Sequence, residues 1–173
     1  MNETWRRIIW QQFGAAIDAL ENAMRACPES LWGDRSKQPE FWYIVFHTLF
    51  WLDFYVLADP DRFKPPAPFG LEEMDPAGVL PDRVYSKDEL LIYLEHDRRA
   101  CREAIRDLTE EGATRRYRSG RKDLPYVEWL LYNMRHVQHH AGQLHLILRR
   151  EIDSAPLWTT RARQDLDGSP AAS

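Results

Sequence analysis

Two histidines separated by one helical turn are the side chains here with the clearest capacity for chemistry. They lie in His136-Val137-Gln138-His139-His140-Ala141-Gly142-Gln143, inside a segment with helical apolar spacing. Residues four apart differ by about 40° in azimuth and share a helix face. Paired imidazoles make a half-site for zinc or nickel, and one further imidazole from a neighbouring helix would complete a three-nitrogen set. His47 is the candidate third ligand. It sits in the most aromatic stretch of the chain, where an unpartnered imidazole is costly to bury. A metal would satisfy it, and so would a backbone carbonyl or a carboxylate such as Asp53. The alternative for His136 and His140 is a solvated polar stripe, extended by Asn133 and Gln143.

Other chemistries find less support. The pair is not an HExxH protease motif, because Val137 and Gln138 stand where the glutamate base would be. There is no glycine-rich phosphate loop, no Ser/His/Asp spacing and no carboxylate pair poised for acid/base work. His139 is at the rim of the His136/His140 face, His145 points elsewhere, and His96 reads as a surface residue of Glu95-His96-Asp97. Trp42, Trp51 and Trp129 read as packing residues, since aromatics at helical spacing are mostly core.

Four long helices must position these groups. The first spans about Asn2 to Cys27, with Trp5, Ile9, Phe13, Ile17, Leu20 and Met24 on one stripe, and Pro28 stops it. After a turn region over Glu29 to Gln38, the second runs from Pro39, suited to a first helical position, to about Leu57. Its aromatic and β-branched composition also suits a strand, but its length favours a buried helix. From Ala58 to Tyr85 six prolines and two glycines predict a long irregular connection that wraps the surface or covers a site. Ser86-Lys87-Asp88-Glu89 is a capping box opening the third helix, which reaches about Leu108 and ends at Glu110-Glu111-Gly112. Arg115 to Lys122 reads as a solvated loop. The fourth helix covers about Pro125 to Glu151.

The expectation is an all-α fold, a four-helix bundle over residues 1–153, followed by a polar tail over 154–173 that is partly disordered. The chain's 173 residues, 44% hydrophobic, suffice for one domain. A net charge of −4 argues against nucleic acid as a partner. Only Cys27 and Cys101 are present, which suits a reducing cytoplasm and excludes a disulfide framework. No run of about 18 apolar residues predicts a membrane span.

The histidine of the second helix, together with His136-x-x-x-His140-x-Gly142-Gln143-Leu144, Pro28-Glu29-Ser30-Leu31-Trp32 and His47-Thr48-Leu49-Phe50-Trp51-Leu52-Asp53, resembles the DinB-like superfamily of four-helix metalloproteins. The resemblance covers nearly the whole chain, to about Arg150. It implies an up-down-down-up bundle with the long connection after helix two, and a divalent ion, zinc or nickel, held by His47, His136 and His140. The family's usual arginine before the glycine is Ala141 here. Many members are homodimers, and some relatives are thiol-dependent S-transferases or a mycothiol-dependent isomerase. By analogy the chain is expected to be a metal-dependent enzyme transferring a low-molecular-weight thiol to a small-molecule electrophile. A non-catalytic metal-containing binding or stress-response protein is the alternative.

Overall fold

The structure, a computed structural model, describes residues 1–57 and 59–171. Ala58, where the irregular connection was expected to begin, and the last two residues of the tail lie outside them. The fold is mostly helical. In chain order the elements are α1 (Glu3–Ala26), the short α2 (Glu29–Trp32), α3 (Phe41–Leu57), α4 (Lys87–Arg106), the short α5 (Glu110–Thr114), strands β1 (Arg116–Ser119) and β2 (Lys122–Pro125), and α6 (Tyr126–Ile152). The four long helices close a ring of contacts, in which α1 packs on α4 and α6, and α3 packs on the same two.

Local chemistry sets the helix ends. Asn2 caps α1 by accepting from the Trp5 amide at 3.0 Å. The Ser86 box is fully formed: Glu89 N donates to the Ser86 hydroxyl and Ser86 N to the Glu89 carboxylate. Pro39 is not the first residue of α3. That helix begins at Phe41, and the Glu40 carbonyl accepts its first bond from Ile44, so the proline lies before the start.

Three other expectations need correction. Gly112 does not end the third helix. Instead, Thr109 caps the separate turn α5 by accepting from Gly112 N at 3.0 Å. The arginine-rich stretch is a hairpin rather than a loop, so the chain is not wholly α. Gly120, at φ 56°, turns the chain between Ser119 and its register partner Lys122, and Asp123 draws in both Arg116 and Arg118. The connection before α4 carries two 3-10 turns, Pro60–Arg62 and Glu72–Met74, where no regular element was expected.

Within the stretch expected as a polar tail, residues 159–169 make specific contacts. They lie along α1, with Trp10 Nε1 donating to the Gln164 carbonyl at 2.8 Å and Ala162 N to the Gln11 carbonyl at 3.0 Å. Asp18 is buried on α1 and needs donors, which Arg98 and Arg163 supply; both arginines also reach Glu21. Among the described residues no helix is long and apolar enough to cross a membrane.

Candidate metal centre

Helix α3 is apolar nearly all round, which is why most of it is buried. Its half-buried positions are Tyr43, His47 and Trp51, spaced by four and therefore on one face. Helix α6 meets that face. Its buried side is formed by Trp129, Leu130, Asn133, Val137, Ala141 and Leu144, and His136 and His140 flank it half-buried. Asn133 is not part of a wet stripe; it is fully buried and donates to the Leu52 carbonyl at 2.9 Å, tying α6 to α3.

The three imidazoles come together. Ring centroids are 4.6 Å apart for His136 and His140, 4.9 Å for His47 and His140, and 5.5 Å for His47 and His136. One ring nitrogen from each lies within 4.8 Å of the other two. This grouping could hold a metal ion.

Two of the three rings are also held from behind. His47 Nδ1 is 2.7 Å from Glu73 Oε2, and the same oxygen accepts from Trp51 Nε1 at 2.9 Å. His140 Nδ1 is 2.7 Å from Gln143 Oε1. With Nδ1 of both rings donating, Nε2 is left as the free lone pair, the arrangement in which an outer carboxylate or amide orients a ligating histidine. Burial pushes Glu73 upward, but hydrogen bonds from His47, Tyr43 and Trp51 outweigh it and hold the carboxyl below its ordinary value. Burial, followed by the neighbouring imidazoles His140, His47 and His139, pushes His136 down to about 3. Burial lowers His140 as well, against the opposing bond to Gln143. Both rings are thus poised neutral, the state a metal ligand requires.

One observation tests whether these residues fit a metal. Among the described residues His136 Nδ1 is buried and has no hydrogen-bond partner, an unmet polar atom on one ring of the cluster. A set of neutral imidazoles suits borderline divalent ions such as zinc or nickel. Beside the cluster a groove of about 500 Å³ is lined by Tyr132, Arg135, His136, Gln138 and His139. The site therefore has both a donor set and an approach from solvent.

The model of one protein family, the DinB superfamily, matches residues 12–144. The chain belongs to the DinB superfamily. No curated protein and no solved structure matches it. The matched span contains all three histidines and Glu73.

In this DinB-superfamily chain Ala141, at the position where the resemblance implies arginine, is buried against the core. His139 is exposed at the groove rim, its ring 5.0 Å from that of His140. His145 lies apart, with Nε2 3.1 Å from the Ala19 carbonyl. Asp53 is not the partner of His47; it faces α4 instead, where Tyr93 donates to it at 3.2 Å. Trp42 and Trp129 are core, but Trp51 is more than packing, since it helps fix Glu73. Glu73 is the residue that sequence reasoning missed, although the Tyr43-x-x-x-His47-x-x-x-Trp51 stripe signals a polar partner facing α3. Burial pushes the Cys27 thiol up to about 12 and Cys101 well above its ordinary value, so neither is a ready nucleophile.

Proposed function

We propose that His47, His136 and His140 hold a divalent ion, zinc or nickel, and that the protein is a metal-dependent enzyme of the thiol S-transferase type, joining a low-molecular-weight thiol to a small electrophile. The convergence of three imidazoles, with Glu73 behind the first, carries this reading. When bound, such an ion supplies a Lewis acid that favours the thiolate over the thiol near neutral pH.

The chain's own residues do the rest. Glu73 and Gln143 fix ring orientation and tautomer, so that the free nitrogens of His47 and His140 point inward. His136 stays unprotonated over the physiological range and does not compete with the ion for its own lone pair. Arg135 and His139, at the mouth of the groove, offer donors to carboxylate groups such as those of glutathione or bacillithiol. With both cysteines buried, the thiol comes from a cosubstrate. The long helices are read as a DinB-type four-helix bundle in up-down-down-up order with a proline-rich connection after α3, and the protein as a cytoplasmic homodimer.

The test is conjugation of a model electrophile by glutathione, bacillithiol or mycothiol, with metal-loaded and metal-stripped protein purified without a histidine tag. Metal-dependent turnover that His136→Ala and His140→Ala abolish supports the proposal. Metal at one ion per chain without turnover of any thiol refutes the transferase part and leaves a binding protein. Metal well below one ion per chain refutes the whole.

A further inference from the structure

Asp97 is fully buried on α4, and among the described residues neither of its carboxylate oxygens has a hydrogen-bond partner. A carboxylate stripped of water and of donors is among the least tolerable groups in a protein interior. The neighbouring arginine does not relieve it, because Arg98 is committed to Asp18, Glu21 and Glu95. The nearest acidic neighbour, Asp53 of α3, is itself buried and has the same sign. Asp53 Oδ2 accepts from Tyr93, and its Oδ1 is 3.8 Å from Nε2 of His96. His96 is about half-exposed and gives the cluster its opening to solvent.

We propose that Asp53, His96 and Asp97 form a second divalent-cation site, between α3 and α4 and separate from the three-histidine cluster. One ligand atom from each of the three lies within 4.8 Å of the others. Donors sharing one ion stand about 3–3.5 Å apart, so small side-chain rotations would suffice. His47 and Asp53 are six residues apart on α3, about 9 Å along its axis and on different faces. The donor sets differ in kind as well. Three imidazoles suit zinc or nickel, whereas two carboxylates and one imidazole form a harder set that accepts manganese or ferrous iron. A cation here neutralises both buried carboxylates and occupies the lone pairs that Asp97 leaves unmet. The competing account is a single proton on Asp97, since burial, and after it Asp53, push that carboxyl well above its ordinary value.

Manganese(II) distinguishes the two, and the site stands or falls independently of the transferase reading. Free Mn²⁺ is followed by electron paramagnetic resonance as it is titrated into full-length, metal-stripped protein, both wild type and His136→Ala/His140→Ala. One saturable ion per chain is expected in both, with affinity falling at least tenfold on adding His96→Ala or Asp97→Asn. His96 is partly exposed and Asn is isosteric with Asp, so both variants should fold, which thermal melting checks. The absence of a saturable ion in either protein overturns the proposal. So does full retention of the ion by both variants, which would leave Asp97 as a protonated core residue.

Discussion

Replacing Glu73 by glutamine removes a charge from behind His47 while leaving an oxygen in place. In the native chain one carboxylate oxygen accepts from His47 Nδ1 at 2.7 Å and from Trp51 Nε1 at 2.9 Å, and a glutamine oxygen can accept both. The loss is therefore the difference between charged and neutral hydrogen bonds, about 1–1.5 kcal/mol. That corresponds to roughly a tenfold weaker grip on metal, the lower end of the ~10–100-fold range for outer partners of a ligating histidine. Glu73→Ala removes the acceptor as well, leaves Trp51 Nε1 unpaired and should approach a hundredfold. The assay is zinc competition against a chromophoric chelator at pH 7 in a His96→Ala background, which isolates the three-histidine set. Imidazole ¹⁵N spectra of the metal-free proteins report whether His47 keeps its proton on Nδ1. Equal zinc affinities for the parent and both Glu73 variants would refute the idea that this carboxylate tunes the site.

Arg98→Ala strips donors from the buried Asp18 and from Glu21, and should destabilise the chain by about 3–5 kcal/mol in urea unfolding; a loss under 1 kcal/mol would mean that Arg163 alone suffices. Gly14→Ala sets ~1 kcal/mol of helix propensity against an added Cβ only 2.6 Å from that of Ala162, an overpacking that typically costs ~1–3 kcal/mol. The clash should win and lift residues 159–169 off α1, exposing them to limited proteolysis, whereas unchanged protection would contradict the packing. Hydrogen bonds from Arg83 and Ser86 hold Glu89 at about 2. Because the folded value is depressed, its contribution is full above the ordinary value near 4.5 and is lost as pH falls toward 2. Thermal melts should therefore show a shallower decline over that window for Glu89→Gln than for wild type, and parallel curves would discard the assignment.

The four long helices and the His136/His140 pair were legible because each rests on a local signal. Apolar spacing marks α1, α4 and α6, the Ser86 box marks a helix start, and His136 and His140 share a face through their spacing alone. The misreadings involve partners distant in sequence. Asp18 meets Arg163 across 145 residues, and His47 meets Glu73 across 26, through a segment whose prolines conceal where it folds back. The contacts of residues 159–169 were concealed by polarity, because charged residues with remote buried partners cannot be told from solvated ones. The hairpin was hidden for a related reason. Its four-residue strands carry charges whose partner, Asp123, lies within the same element, so no apolar alternation shows.

Helix α3 shows where function is best sought in such a chain. Nearly every residue between Phe41 and Val56 is apolar and buried, so each polar group there must find a partner or lose stability. Thr48 resolves this within its own helix, donating to the Ile44 carbonyl at 2.6 Å. His47 and Asp53 find their partners elsewhere, since a carboxylate has no hydrogen to give to a helical carbonyl and the amides of mid-helix are already bonded. One reaches α6 and Glu73, and the other reaches Tyr93, His96 and Asp97 on α4. Among the described residues the two clusters that could hold an ion thus grow from the one imidazole and the one carboxylate of this largely apolar helix. His47→Leu alone would strand the buried Glu73 carboxylate and cost stability, so the informative variant is His47→Leu with Glu73→Gln, which removes imidazole and charge together while an amide oxygen still accepts from Trp51. If His47 is kept for ligation, this variant in a His96→Ala background should lose zinc while melting close to its parent, a combination that a purely structural role does not produce; unchanged zinc affinity would refute the ligand role.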